Sequence, residues 1–486
     1  MTGLFGTLNT STSGMRAQQN ALQTTSHNLA NSNTPGYSRQ RVDMVSNMPQ
    51  SLAGIGQIGT GVVIGGVIRI TDEYVLTQFQ NEEASLVRYH QKSEVLGQLE
   101  AMFNEPSSTG ISHQMSEFFT SWNDLAANPE SITSKTMVVR QAETFLDTVN
   151  HSLNKMETLS EDTLKQIDKN VLDFNSAASQ LKGINDQIFN ATVKGETPND
   201  LLDKQDMLIG QMKNIAGVSV TKDKYGRAFV SLEGQDGQNI DIVSENTVNE
   251  LEMTVEDNEE GKKHQLSVVT EEGAQPVEIK TGAIKGLQEA LVIVDQKQEE
   301  VSTFIENFTS AVNLIHKGGE NGEGLEFFTA DENGKISVNE ELIKKPSLIN
   351  AGKIIDGEAV AGDGTRAKAI FDLQNTMLDF SSNEWLDKYD DETMKFESNP
   401  KGTTIFNHFN EIVTDMGISK QQSDNMLANQ LDLTILLEQR RDSISGVDIN
   451  EEIVNMIQFQ SAFQANSRVI STISEMLDTI INRMGV

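Results

Sequence analysis

Cysteine is absent from this 486-residue chain. That excludes disulfides, thiolate metal sites and cysteine nucleophiles together. Cations are few: 38 Lys and Arg stand against 71 Asp and Glu, for a net charge of −33. So acidic a surface repels nucleic acid and anionic lipid, so neither nucleic acid nor membrane is expected as a partner. No apolar run approaches the ~18 residues that a membrane span needs. The first residues, MTGLFGTLNTSTSGMRAQQNALQ, lack a basic stretch followed by an apolar one, so a Sec signal peptide is not expected. At roughly 150 residues per domain the length suggests about three domains.

The acidity is uneven. Residues 1–70 hold Arg16, Arg39, Arg41 and Arg69 against Asp43 alone, and residues 446–486 hold two arginines against five acids. These two excesses cancel, so residues 71–445 carry the whole net charge. Like charges oppose close packing, so near-neutral ends are where copies of the chain can crowd together.

The ends also share a pattern. Ile449, Met456, Phe463, Ile470, Leu477 and Met484 recur every seven residues, as do Leu8, Met15, Leu22 and Leu29. A sustained seven-residue apolar repeat predicts a helix with a seam for a partner helix. Two readings follow: each helix packs on the body of the protein, or the two terminal helices pair with one another. A lone helix with so narrow a stripe is marginal. The expectation is therefore that both ends are disordered in the monomer and become ordered when neighbouring copies bury the stripe.

Between the ends, residues 51–66 are glycine-rich and read as a flexible or hairpin segment. Val62, Ile64, Ile68 and Ile70 share one parity, which predicts a strand with one buried face. Helical periodicity covers residues 72–103, 111–127, 131–195 and 198–215, then 283–316 and 403–441. Residues 217–281 contain short alternating runs (VSVTKDKYGRAFVSL, QNIDIVS, HQLSVVT, QPVEIK) broken by Gly, Asp and Asn, which predict a small β-domain. Residues 317–402 are mixed. The fold class is mainly α with an inserted β domain, in which the chain goes out and returns.

Chemistry-bearing motifs are weak. Gly54, Gly56 and Gly59 form a lone G-x-G-x-x-G, but no helix opens after it, as a dinucleotide site requires. The seven histidines have no ligand spacing, and Asp331-Glu332-Asn333-Gly334 lacks the closing acid of a calcium loop. No metal, cofactor or catalytic residue is expected.

One segment is distinctive: Asn28-Leu29-Ala30-Asn31-Ser32-Asn33-Thr34-Pro35-Gly36-Tyr37-Ser38-Arg39. Pro35-Gly36 makes a tight turn after the helix. Through Asn28, Asn31, Thr34, Pro35, Gly36 and Tyr37 this segment resembles the N-terminal signature of bacterial flagellar rod, hook and hook-associated proteins. The run Ser445-Gly446-Val447-Asp448-Ile449-Asn450-Glu451-Glu452, with Gln458, Gln460, Ala462, Phe463, Gln464 and Ala465, resembles the matching C-terminal signature. Phe463 stands where Tyr is usual. The stretches GTGVVIGGVIRITDEYVLTQF, WNDLAANPES, PNDLLDKQDMLI and FTSAVNLIHKGGENGEGLEFF make the chain similar to the hook-associated protein 1 (FlgK) family.

The resemblance implies a structural adapter joining hook to filament, with no enzymatic activity. It implies that residues 1–60 and 446–486 form a coiled-coil inner domain, 61–216 with 282–445 a long-helix bundle, and 217–281 a β-rich outer domain. The implied partners are further copies of the chain, hook protein, the second junction protein (FlgL) and an export chaperone (FlgN) that binds the C-terminal helix. The implied route out of the cytoplasm is the flagellar type III apparatus. The alternatives are another axial protein of the hook or rod, or an adhesin or enzyme carried on flagellar ends with its activity in 217–281.

Overall fold

The computed structural model describes residues 2–52, 56–103, 105, 107–258, 261–319, 322, 324–331, 335–355, 358–360, 362–380, 383–390 and 392–483. Met484, Gly54 and most of the Asp331–Gly334 turn lie outside them. In chain order the elements are α1 (Thr2–Ala30), β1 (Gln40–Ser46), β2 (Gln50–Leu52), β3 (Gly56–Ile58), β4 (Val62–Arg69), α2 (Glu73–Phe103), α3 (Ile111–Ala127), α4 (Ile132–Val193) and α5 (Asn199–Ala216). Then come β5 (Ser219–Lys222), β6 (Ala228–Glu233), β7 (Asn239–Val243), β8 (Glu250–Asn258), β9 (Gly261–Thr270) and β10 (Gly273–Pro276), followed by α6 (Ala283–Lys317). Short hairpins and the small helices α7 (Glu340–Lys344) and α8 (Thr365–Leu373) precede α9 (Ile405–Ser445) and α10 (Ile449–Asp478), which ends in a π-helical turn, Thr479–Arg483. The fold is mainly helical with small separate sheets, as the sequence pattern indicates.

The chain divides into two compact units. One comprises Tyr89–Ile167 and Gly286–Leu427. Its α3 buries Ile111, Met115, Phe118, Phe119, Trp122 and Leu125, spacings that place all six on one helical face. Phe118 sits at the centre of an aromatic cluster, 5.6 Å from Phe308 of α6 and 6.1 Å from Phe145 of α4, with Phe327 and Phe328 beside it. Edge-to-face and offset-stacked pairs of this kind add about 0.5–1.5 kcal/mol each beyond area burial.

His316 is fully buried at the rim of that cluster. Its Nδ1 lies 2.7 Å from the Leu325 carbonyl, to which it must donate, and Nε2 accepts the Asn350 N–H at 3.0 Å. Both bonds suit the neutral ring, and burial, with Arg366 and Lys135 nearby, lowers its pKa to about 4. The unfolded chain takes up this proton near pH 6.5 and the folded chain only near pH 4. Stability is therefore lost as pH falls through that window, by on the order of 3 kcal/mol from this group. The expected observation is a His316 NMR titration midpoint near pH 4, with urea midpoints falling below pH 6.5. A midpoint near 6.5 would refute the buried neutral assignment.

The other unit comprises Met1–Arg88, Asp168–Lys285 and Ala428–Val486. Its two three-stranded antiparallel sheets have orders β5-β6-β7 and β10-β9-β8. Two asparagines of α4 pin them. Asn175 bonds both the N–H and the carbonyl of Leu251 in β8, each at 2.8 Å, and Asn185 does the same for Ala228 in β6 at 3.1 and 2.7 Å. β8 was not among the expected strands.

The glycine-rich segment forms a hairpin. β2 pairs with β3, and β1 with β4, in antiparallel register. The single-parity reading of β4 needs correction. The register shifts between Asp43 and Met44, leaving Gly65 as an extra residue. Such a bulge inverts the side-chain alternation beyond it. Val62 and Ile64 are half-buried, but Ile68 is exposed, and Val67 and Arg69 take the inner positions.

Candidate assembly interface

The ends of the chain meet. α1 and α10 pack along their lengths. Asn28 bonds Glu452, and Gly14 lies against Asn466, so fourteen steps on one helix match fourteen on the other in opposite directions. The pair is antiparallel and in even register. A Cβ at Gly14 would stand 3.1 Å from the Asn466 carboxamide, tighter than ordinary contact. Small residues thus set how near the helices come.

The buried face of α1 is not apolar in the usual sense. Ser11, Ala17, Ala21, Thr25 and Asn28 are its buried residues, and Leu8, Met15, Leu22 and Leu29 lie half-buried beside that row. On α10, Glu452 and Ile473 are buried, twenty-one residues apart, with Phe459 and Asn466 between them at seven-residue steps. Met456, Phe463, Ile470 and Leu477 are half-buried, and Ile449 is exposed. Ile453, Val454, Ile457 and Met476 are exposed as well. Paired helices within one chain therefore leave much of their apolar surface open.

The distinctive loop forms a hydrogen-bonded node where α1 ends. Thr34, Pro35, Gly36 and Tyr37 make a turn closed by the Tyr37 N–H to the Thr34 carbonyl, with Gly36 at φ +76°, a left-handed value that glycine reaches without strain. Asn31 donates to the His27 carbonyl, and the Thr34 hydroxyl donates to the Asn31 carboxamide. The turn brings Tyr37 back so that its hydroxyl donates to Asn28 Oδ1 at 2.8 Å, with His27 Nδ1 3.0 Å away. Burial, and the negative charges of Asp200, Asp203 and Glu452, push the Tyr37 pKa up, which keeps it a donor.

Asn28 uses every bond its carboxamide offers here. Its oxygen also accepts the Gln40 N–H at 3.0 Å, and its nitrogen donates to the Gln40 carbonyl and to Glu452 Oε2 at 2.9 and 3.0 Å. Glu452 is only 2% exposed. Arg39 neutralises it, with Nε 2.8 Å from Glu452 and a second nitrogen 2.9 Å from Glu451. The Arg39 N–H donates to the Ser445 carbonyl, tying the loop to the end of α9. Asp448 caps α10 by accepting from the Asn450 and Glu451 N–H groups.

A second ring of contacts holds the node to α5. Arg69 reaches Asp203 at 2.7 Å and Asp206 at 2.9 Å, and Gln40 bonds Asp200 and Asn199. Burial disfavours the Arg69 charge, but the two aspartates more than offset this and raise its pKa.

All six loop residues singled out in the sequence fall in this node. The sequence reading missed Arg39 and Glu452 as partners, and it missed the small-residue row. The signal for that row was there: Ser11, Gly14, Gln18, Ala21, Thr25 and Asn28 alternate three- and four-residue steps, the spacing of a seam, but with side chains too small or too polar to register as apolar. Nothing among the described residues groups three potential metal ligands, and no described helix is long and apolar enough to cross a membrane.

Comparisons with known proteins agree on one group. The family described as flagellar hook-associated protein FlgK helical domain matches residues 96–328. The flagellar basal body rod FlgEFG protein C-terminal family matches 438–484, and the flagella basal body rod protein family matches 8–37. The flagellar hook-associated protein 1 of Bacillus subtilis (strain 168) is 29% identical over all of this chain and 99% of its own. The protein of the same name in Escherichia coli (strain K12) is 24% identical over 98% of this chain and 99% of its own. The solved structure of the flagellar hook junction protein FlgK from Burkholderia pseudomallei shares the fold, with a TM-score of 0.58 at 14% identity, covering 76% of this chain and 100% of that one.

Proposed function

The chain belongs to the flagellar hook-associated protein 1 family, and we infer from this that it is a structural adapter of the hook–filament junction and not an enzyme. It works in the bacterial flagellum, assembled with other flagellar axial proteins. At finer grain, its neighbours are further copies of itself, hook protein on one side and the second junction protein, FlgL, on the other. Before export through the flagellar type III apparatus, the chaperone FlgN covers the C-terminal helix. The β-rich segment 217–281 faces solvent outside the tube.

The observation that carries this reading is the α1–α10 pair. Its centre is a row of small and polar side chains, while Ile453, Val454, Ile457 and Met476 remain open to solvent. Little apolar area is buried within one chain, and apolar surface exposed along a helix calls for a partner. A tube built from neighbouring pairs supplies one. The seam residues are Leu8, Met15, Leu22, Leu29, Ile449, Met456, Phe463, Ile470, Leu477 and Met484, and assembly orders them.

Hydrogen exchange tests that ordering. In a verified monomer, amides of residues 449–478 should exchange within minutes, and in assembled flagella they should be protected. Strong protection in the monomer would contradict it. The function itself is tested by deletion. Cells without this chain should carry hooks but no filaments and should release flagellin into the medium, with restoration by the intact gene. Normal filaments in the deletion strain would overturn the adapter reading. A hook or rod role would instead predict loss of the hook.

A further inference from the structure

Within the unit Tyr89–Ile167 with Gly286–Leu427, α6 and the first turns of α9 border a cleft of about 490 Å³. That lies within the ~300–1,000 Å³ range of small-ligand pockets. Asn307 of α6 lines it and is only 4% exposed, yet its carboxamide has no hydrogen-bond partner among the described residues. A polar side chain buried that far without a partner is rare. Phe304, one turn earlier on the same helical face, is fully buried. The His408 ring stacks on Phe380, with centroids 4.3 Å apart and planes 3° from parallel, and lies 5.9 Å from the Phe304 ring. The cleft therefore has an aromatic wall beside an unused carboxamide.

Its charge is negative. The carboxylates lining it are Glu299, Glu300, Glu411 and Asp415, and Lys297 is the one ammonium. Lys297 is almost wholly buried and is already held by Glu300 at 2.7 Å and Asp415 at 2.6 Å. Those two pairs leave no positive charge to attract an anion. Glu299 pairs with no cation among the described residues, and Glu411 faces only His408 Nδ1, at 3.6 Å. Burial lowers the His408 pKa against the pull of Glu411, so at neutral pH the ring adds no positive charge.

We propose that this cleft binds a guanidinium group, with the Asn307 carboxamide oxygen accepting one N–H, Glu299 and Glu411 supplying the opposite charge, and the aromatic wall receiving the planar face. A guanidinium suits these features better than an ammonium. It is flat, stacks on aromatic rings, carries five donors in a fixed fork and is weakly hydrated. An ammonium is a compact, strongly hydrated point charge that makes little use of the wall. The guanidinium belongs either to a free compound or to an arginine side chain of a neighbouring polypeptide, and both present the same group. Binding to the isolated chain does not depend on the adapter role.

The full chain, with its isoleucine δ-methyl groups isotope-labelled, is titrated with butylguanidinium and with butylammonium at constant ionic strength. The expected result is a saturable NMR shift of Ile412, which lines the cleft, with butylguanidinium about tenfold tighter than butylammonium. Asn307→Leu, close in size but without an acceptor, should weaken butylguanidinium about tenfold. Asn307→Asp keeps the acceptor and adds charge, so it should bind at least as tightly as the native chain, an outcome that a purely structural asparagine would not give. Glu411→Gln, at an exposed position that folding does not depend on, should weaken binding about threefold. Equal affinity for the two probes, native affinity in Asn307→Leu and Glu411→Gln, or no saturable shift at tens of millimolar would each overturn the proposal. The amount of Asn307→Leu chain in purified flagella separates the two sources. A fall of about tenfold points to a neighbour's arginine, and native retention with binding lost points to a free guanidinium compound.

Discussion

Cells producing the Phe463→Asp chain are expected to assemble hooks and to lack filaments, as a deletion does. Phe463 is half-buried in the α1–α10 pair, in the row with Met456, Ile470 and Leu477. Removing it forfeits about 1.5–3 kcal/mol of burial once neighbours cover the seam. A carboxylate put in its place brings a charge into the seam, and a charge left unpaired in a desolvated seam costs several kcal/mol more. The penalty recurs in every copy, so assembly fails cooperatively. The unit built on Phe118, Trp122 and Phe308 holds none of these residues, so its thermal transition should not move. Motility of the variant at the native level would remove Phe463 from the seam.

Arg39→Met should be nearly as severe, for a different reason. Glu452 stays buried with its charge after the change, keeping only the Asn28 amide as donor. Breaking a buried ion pair from one side costs about 3–5 kcal/mol, or roughly two to four orders of magnitude in the stability of the assembled end. Replacing both partners by apolar residues removes the orphaned charge. Arg39→Met with Glu452→Leu should therefore assemble better than Arg39→Met alone. The measurement is the amount of chain retained in purified flagella. If the double variant is no better than the single, the cost does not come from an uncompensated Glu452.

Much of the helical framework could be read from periodicity, because long amphipathic elements repeat their signal. The expected helices at 111–127 and 283–316 stand against observed bounds of Ile111–Ala127 and Ala283–Lys317. β8 escaped because the acids of ELEMTVEDN outweigh its apolar residues in composition, although Leu251 is buried beside exposed Glu252. The face exposed by Ile68 could not be seen either, since a one-residue bulge at Gly65 leaves no mark in an alternating pattern but reverses its sense.

By itself, the sequence determined the helical class, the seven-residue stripes at both ends and the turn at Pro35-Gly36. Each depends on residues near one another along the chain, where spacing and backbone preference suffice. Tertiary structure alone decided which face of α1 meets α10, and that Glu452 lies buried against Asn28 and Arg39 more than 400 positions away. Those outcomes turn on side-chain size and hydrogen-bond geometry between distant segments. A row of Ser, Gly, Ala, Thr and Asn is unremarkable in composition, and it becomes an interface only when another helix comes close enough to need small neighbours.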